Sequence, residues 1–318
     1  MKKLWTTVLV LAFAALFAAA AEEGRFFTYP TIHNDQIVFT YEADLWAVSA
    51  RGGVAARLTT FPGTESFAKF SPDGKWLAFT ATYDGAQAVY LMPAEGGAPK
   101  RLTYNPGTAL VIGWTPDGTE VVFRSSFENF IGRDPNLFSV SVSGGAPKRL
   151  PLDRGVLISY IPGENKFLFC RRGNEEYYWK RYKGGQYQDI WLYDGAAKTY
   201  APVTDYVGKN SYPMYVGGLM YFVSDRTNGI ANLYTQKLGA KDVKQVTSYG
   251  DFDVMMPNTD GRSIVYMQDG RIHVYDVAAG RDAKIAVQVP SDRWALRERV
   301  INPRDYVQSF NIADDGKA

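Results

Sequence analysis

Short runs of alternating apolar and polar residues, each bounded by turn residues, recur along the chain after residue 24. Residues 70–103 show the pattern in full, with apolar runs at 76–80 and 88–92 and a Gly-Gly turn at 96–97. The S-P-D-G sequence at 71–74 is a tight turn, because Pro presets φ, Asp caps its own backbone and Gly accepts a positive φ. Alternation within such short runs is typical of half-buried strands. The pattern predicts four antiparallel strands over residues 66–103.

The same unit recurs six times, and two independent registers give this count. The first register follows an aromatic residue in the second strand: Phe39, Phe79, Phe123, Phe169, Phe222 and Tyr266. The second follows an apolar residue in the outer strand: Leu58, Leu102, Leu150, Val203, Val246 and Ile285. The intervals in the two registers are 39–53 residues long. Repeats of about 40–50 residues are typical of four-stranded propeller blades, and no sustained helical period occurs. We therefore predict an all-β fold over residues 25–289, a six-bladed β-propeller of four-stranded antiparallel blades.

The two ends of the repeat array predict how the ring closes. The first unit begins with its own inner strand at residues 29–33, and the sixth ends with its own outer strand near Ile285. Neither end of the array has an additional strand that could complete the blade at the other end. We therefore expect closure without a shared-strand blade, that is, without a blade built from strands of both ends. Closure should then rest on packing between the first and sixth blades.

Residues 1–21 have the features of a signal peptide. Lys2 and Lys3 precede an apolar run at 4–17, and small residues at 18–21 form a cleavage zone. The run is shorter than the roughly 20 apolar residues that a membrane span needs, which disfavours the alternative of a retained anchor. We predict cleavage, an exported protein that is periplasmic or extracellular, and no membrane association afterwards.

Charge and reactive residues exclude several kinds of function. Removal of Lys2 and Lys3 lowers the 35 basic residues to 33, which equals the number of acidic residues, and such a neutral surface argues against nucleic acid as a partner. Cys170 is the single cysteine and lies in an apolar run, so we interpret it as a core residue. His33 and His273 have no second ligand at metal spacing, and no G-x-S-x-G occurs. We predict no catalytic residue, metal or cofactor in this chain.

The repeat pattern ends at residue 289. Residues 290–309 have the composition of a linker and a charged connector, and F-N-I-A-D-D-G-K at 310–317 then repeats the sequence type of F-S-P-D-G-K at 70–75. We interpret residues 290–318 as a linker and the first strand of a second, incomplete propeller. A lone half-hairpin buries nothing, so we expect these 318 residues to be the front part of a longer protein.

The S-P-D-G, L-Y, G-G and R-L-T elements of the unit resemble TolB-like, or WD-like, propeller repeats. Stretches at 181–193, 221–234 and 249–254 resemble, more specifically, the N-terminal six-bladed propeller of tricorn-type serine peptidases. The resemblance implies an accessory propeller of a large serine peptidase that trims short peptides, with the catalytic residues on downstream domains; the signal peptide predicts that this peptidase is exported. Such a propeller gates or docks peptide substrates and packs on downstream domains of the same chain; a homo-oligomer is compatible with it.

A second hypothesis from a different class is a free-standing TolB-like periplasmic module that binds or scaffolds other proteins. The new unit that starts at Phe310 favours the first hypothesis, because a complete scaffold would not end inside a blade.

The resemblance also implies basic residues that reach in from the first propeller and anchor a substrate carboxylate. Arg133, in the long excursion of the third unit at residues 124–135, is the candidate, because a guanidinium binds a carboxylate bidentately. The family has two adjacent basic residues where this chain has one. A loop salt bridge from Arg133 to Asp134 or Glu128 is the alternative.

The fourth unit has the longest insertion, at residues 171–182, in which basic and aromatic residues are interleaved. Arginine, tyrosine and tryptophan supply the anchors of protein interfaces, so a contact with another domain or subunit is one hypothesis. Capping of the blade by its own aromatic side chains is the other. The interface candidates are Arg172, Tyr178, Trp179, Arg181 and Tyr182.

Overall fold

Six four-stranded antiparallel sheets form a closed ring, as the sequence predicts. The structure is a computed structural model that describes residues 23–129, 135–173, 180–291, 298, 300–311 and 313–316. Each blade is built from consecutive strands that pair in chain order from the innermost to the outermost. The inner strands contact one another around the ring, and the first contacts both the second and the sixth. The described residues contain a 3₁₀ turn at Pro303–Asp305 and otherwise almost no helix.

The strands of the six blades have the following bounds. Blade one contains β1 (Thr28–His33), β2 (Gln36–Tyr41), β3 (Asp44–Ser49) and β5 (Ala56–Arg57), with β4 (Gly53–Val54) before β5. Blade two contains β6 (Glu65–Phe70), β7 (Trp76–Ala81), β8 (Ala88–Pro93) and β9 (Lys100–Arg101), and blade three β10 (Leu110–Trp114), β11 (Glu120–Ser125), β12 (Asn136–Ser141) and β13 (Lys148–Arg149). Blade four contains β14 (Leu157–Tyr160), β15 (Lys166–Cys170), β16 (Ile190–Asp194) and β17 (Thr199–Pro202). Blade five contains β18 (Asn210–Val216), β19 (Leu219–Ser224), β20 (Asn232–Gln236) and β21 (Val243–Gln245), and blade six β22 (Met255–Thr259), β23 (Ser263–Gln268), β24 (Arg271–Asp276) and β25 (Arg281–Lys284); β26 (Val287–Gln288) follows.

The hydrophobic core lies between neighbouring blades. Six apolar clusters correspond to the six blade interfaces, and the cluster between blades six and one contains Phe39 and Val265. All six second-strand aromatics that define the repeat are fully buried. Cys170 is likewise fully buried in β15, which confirms its interpretation as a core residue.

The R-L-T sequence closes a blade through hydrogen bonds to the third strand. The apolar residue of the second register lies one position beyond the outer strand, and in every blade its N–H donates to a third-strand carbonyl at 2.8–2.9 Å. The threonine that follows accepts from the same strand, as when Leu45 N donates to Thr59 Oγ1 at 2.9 Å and Val89 N donates to Thr103 Oγ1 at 2.9 Å. The motif therefore continues the ladder past the end of the strand.

Ring closure uses backbone hydrogen bonds in addition to packing. No four-stranded blade contains strands from both ends, as predicted. Packing between the first and sixth blades contributes to closure as expected, but it does not act alone, because β26 pairs in parallel with β4 and Gly24 N donates to Val287 O at 2.7 Å. The residues beside the predicted last strand thus supply a short extra pairing outside the blades.

A glycine in the first Gly-Gly turn permits this closure. Gly52 has φ +88°, and a Cβ at this position would lie 2.6 Å from the carbonyl oxygen of Ala286. A side chain would therefore both strain the turn and collide with the backbone that precedes β26.

The end of the chain forms the predicted turn but no strand among its described residues. Gly316 N donates to Ala313 O at 2.8 Å, as Gly74 N donates to Ser71 O in blade two. Phe310 is 87% exposed and pairs with no strand. The second propeller remains a prediction. No helix in the described part of the chain is long and apolar enough to span a membrane.

Candidate functional site

Bulges in the inner strands point side chains toward the axis of the ring. Five of the six inner strands shift register by one residue near their middle. In four of them, two residues oppose the single buried aromatic of the second strand, and the first of the two has a positive φ of 50–54°. Bulges re-aim side chains in this way. The positive-φ residues are Tyr29, Phe67, Tyr212 and Met256.

These side chains line a channel along the axis of the propeller. The axial channel has a volume of about 410 Å³ and is lined by residues of all six inner strands, including the four bulge residues. It extends from the bulges to the end of the ring where each inner strand turns into the second strand, and its mouth there is flanked by His33 and Asp260. Its volume lies in the usual range of ligand sites, roughly 300–1,000 Å³.

Six side-chain positions form one level of this channel, which we call the middle level. Each pairs with the second-strand residue that immediately precedes the buried aromatic, so the six positions are equivalent by register. The middle level consists of Thr31, Lys69, Gly113, Ser159, Met214 and Asn258, all of which line the channel.

Lys69 is the one lysine or arginine among the described residues that line the axial channel. Part of its surface faces the open channel, but protein atoms surround the side chain, and the resulting loss of hydration lowers the pKa of Lys69 to about 8. No ion pair forms within the described residues. Asp260, the one carboxylate in the lining, is occupied by backbone donors, including Asn34 N at 3.0 Å and Arg262 N at 2.9 Å. Lys69 thus supplies a positive charge that no described carboxylate neutralises.

A second cavity lies at the opposite end of the ring, where the inner strands begin. It has a volume of about 470 Å³ and lies between the described end of the blade-four insertion, blades five and six, and residues 26–28. Arg181 lies against Gly229, where a Cβ would be 2.6 Å from the arginine Nε, and Lys180 pairs with Asp253 at 3.2 Å. The described end of the insertion therefore packs onto blades five and six of its own chain.

The structure brings two of the residues predicted as sites together. Arg181 and Tyr182 both line the second cavity. Arg172 does not line it, and its guanidinium donates to Gly185 O. Arg133, Tyr178 and Trp179 lie outside the described residues.

Of the two loop partners predicted for Arg133, the structure describes Glu128, whereas Asp134 lies outside the described residues. Glu128, one of its two predicted loop partners, forms an exposed ion pair with Arg149 at 3.4 Å. The roles predicted for Arg133 and for the blade-four residues stay predictions.

Sequence reasoning missed Lys69 and the middle level. A lysine in the segment E-S-F-A-K-F is typical of a solvent-facing strand position, and the direction of its side chain depends on a bulge that the sequence does not indicate. One signal could have found it: the repeat makes the segment an inner strand, and residues near the middle of an inner strand lie beside the axis of the ring.

A hydrogen-bonded cluster in blade six was also missed. The Asp282 carboxylate accepts from Tyr249 and Tyr266, each at 2.6 Å, and lies 3.2 Å from His273 Nδ1. Burial acts to raise the pKa of Asp282, but the hydrogen bonds from His273 and the two tyrosines hold it below its usual value. None of the four residues lines the axial channel or the second cavity, and we interpret the cluster as part of blade packing.

Comparisons with known proteins agree with this architecture. Residues 24–281 match the family described as the tricorn protease N-terminal beta propeller domain. The chain is 28% identical over 284 residues to a tricorn protease homolog of Saccharolobus solfataricus, covering 89% of this chain and 26% of the relative. It is 30% identical over 277 residues to tricorn protease homolog 1 of Streptomyces coelicolor, covering 86% of this chain and 26% of that relative.

A solved structure of the tricorn protease superposes with a TM-score of 0.73 at 26% identity, over 82% of this chain and 26% of that one. TolB from Acinetobacter baumannii shares the fold, with a TM-score of 0.59 at 17% identity over 86% and 67% of the two chains. The chain spans about a quarter of the length of the tricorn relatives that it matches. It belongs to the family of tricorn protease N-terminal β-propeller domains.

Proposed function

We propose that this propeller is an accessory segment of an exported tricorn-like serine peptidase, in which it gates or docks peptide substrates and packs on downstream domains. The observation that carries the proposal is the axial channel of about 410 Å³, lined by all six inner strands of a chain in this family. Rigid β scaffolds commonly present binding groups in this way. The fold likeness to TolB, at 17% identity, supports the architecture alone, so the scaffold hypothesis gains no separate support.

Narrowing the channel tests the gating role. A Cβ added at Gly113 would have no atom within 4 Å, and the backbone φ there is not positive, so Gly113→Tyr introduces a large side chain into the channel without backbone strain. We expect turnover of peptides by the full-length natural protein to fall by about tenfold or more, because a displaced substrate loses productive positioning. Turnover is measured as initial rates on peptides of increasing length.

Gly250→Tyr is the matched control for Gly113→Tyr. Gly250 is exposed, has equally open space and lies outside the channel lining. Equal rates for Gly113→Tyr and the unaltered protein would refute gating through this channel, provided that both variants retain the thermal stability of the parent.

Export gives a second prediction. The signal-like residues 1–21 should be absent from the mature protein, since a short apolar run that ends in small residues is cleaved. Intact-mass measurement of protein from the native host should therefore give an N-terminus at Glu22. Recovery of a chain that retains residues 1–21 in the membrane fraction would instead support the retained anchor.

A further inference from the structure

Three side chains at the middle level of the axial channel have hydrogen-bond donors that no acceptor in the described residues uses. The Lys69 ammonium forms neither an ion pair nor a hydrogen bond there. Ser159 Oγ accepts from Tyr215 N at 3.0 Å, which leaves the hydroxyl proton available. Asn258 Oδ1 accepts from Thr31 Oγ1 at 2.8 Å, which directs the amide NH₂ elsewhere.

The three donors come from alternate blades. Lys69 is in blade two, Ser159 in blade four and Asn258 in blade six, at register-equivalent positions. Between them, at the same level, blade three contributes Gly113, whose missing side chain leaves open space. The donors therefore approach the axis from three sides, around space that a ligand group can occupy.

Charge and solvation favour an anion in this space. A lysine that has lost hydration without gaining a counter-ion is destabilised in its charged form, and a bound oxyanion restores the missing interaction. The one carboxylate in the described lining, Asp260, lies at the mouth and is already held by backbone N–H groups. No acidic residue at the middle level competes for Lys69.

The neighbouring level of the channel is apolar. It contains the bulge residues Tyr29, Phe67, Tyr212 and Met256, each of which lies two residues before the middle-level residue of its strand. Aromatic and methionine side chains bind apolar groups through dispersion and adapt to their shape. A ligand with an anionic end and an apolar body would contact both levels together.

We propose that the axial channel contains a binding site for an organic oxyanion, a carboxylate on an apolar or aromatic body, held by Lys69, Ser159 and Asn258. Both the terminal residue of a peptide and a small organic acid have this chemistry. The inference deepens the proposed function and rests on it only for a peptide as the natural source of the carboxylate.

The test is calorimetric titration of the full-length natural protein with matched pairs of ligands. N-acetyl-phenylalanine and a tripeptide ending in phenylalanine are each compared with their C-terminal amides. We expect both acids to bind and the amides to bind about tenfold more weakly or worse, because hydrogen bonds to charged groups contribute most. Tight binding of the tripeptide acid with weak binding of the single amino acid would identify the peptide source, and the reverse would identify a small acid.

Variants assign the binding to these donors. Lys69→Met keeps the apolar stem and should weaken acid binding by about 10- to 100-fold, with a smaller loss for Ser159→Ala. Lys75→Met is the control, since Lys75 is exposed in the blade-two turn and pairs with Asp73 at 3.5 Å. Equal affinity for acid and amide, or unchanged affinity in Lys69→Met, would overturn the proposal.

The outcome is separable from that of the proposed function. Selective binding of acids that depends on Lys69, in a protein whose peptide turnover is insensitive to Gly113→Tyr, would sustain the site and refute gating. Reduced peptide turnover in Gly113→Tyr without acid-selective binding would support gating and refute the oxyanion site. Circular dichroism and thermal melts of each variant exclude unfolding as the cause of lost binding.

Discussion

Replacing Phe39 with alanine is expected to lower the free energy of unfolding by about 3–5 kcal/mol. Phe39 is fully buried in the cluster between blades six and one, where its ring centroid lies 4.7 Å from that of Phe27. Truncation removes apolar contacts and leaves a cavity that a sheet interface cannot readily collapse, so both the transfer cost and the cavity cost apply. Chemical denaturation followed by fluorescence measures the change.

The matched control is Phe26→Ala. Phe26 lies within the propeller and is 81% exposed, so the same chemical change should alter stability by less than about 0.5 kcal/mol. Similar effects at the two positions would show that the aromatic register does not mark the packed core. An altered denaturant slope would indicate either a change in the surface exposed on unfolding or a departure from two-state unfolding.

Replacing Glu65 with glutamine is expected to remove a pH dependence of stability. Glu65 is fully buried at the start of blade two, accepts from Thr59 Oγ1 at 2.9 Å and lies near the Asp44 carboxylate. Burial, the largest influence, and the neighbouring Asp44 raise the pKa of Glu65 to about 7 from 4.5.

The direction of this pH dependence follows from the linkage between proton binding and folding. Because the folded pKa is above the unfolded one, the unfolded chain releases the proton first as pH rises, and stability falls between about pH 4.5 and 7. The loss amounts to about 3 kcal/mol for this group. The stability of Glu65→Gln relative to the parent should therefore improve by about that amount between pH 4 and pH 8.

Urea denaturation at pH 4, 6 and 8 gives the comparison. Glu95→Gln serves as the control, because Glu95 is exposed in the turn after β8 and forms no ion pair with the described residues. A constant difference between Glu65→Gln and the parent across this range would mean that the pKa of Glu65 is the same in the folded and the unfolded protein.

The repeat could be predicted from the sequence because its determinants are local. Turn residues such as those at 71–74 and one large aromatic per unit repeat at a nearly constant spacing, and packing then requires that aromatic to be buried in every blade. Blade number, strand order and the confirmed burial of Phe79 or Tyr266 all follow from that spacing.

The side chains that line the axial channel could not be predicted in the same way. A bulge shifts the side-chain parity of an inner strand, so the alternation that places Lys69 on one face is interrupted at Phe67, only two residues earlier. The burial of Glu65 is equally hidden, because a charged residue at a strand end normally indicates solvent exposure. Both depend on contacts between blades that are distant from the local pattern.

The parallel pairing that closes the ring has a consequence for biosynthesis. Gly53 and Val54 leave the ribosome well before Val287 and Gln288, at a typical 5–20 residues per second roughly ten to fifty seconds earlier. During that interval the first blade presents both an apolar face without its neighbour and an unpaired edge, a combination that recruits other chains. The incomplete propeller is thus prone to aggregation until its sixth blade packs on the first, and chaperones that shield the first blade should act in that interval.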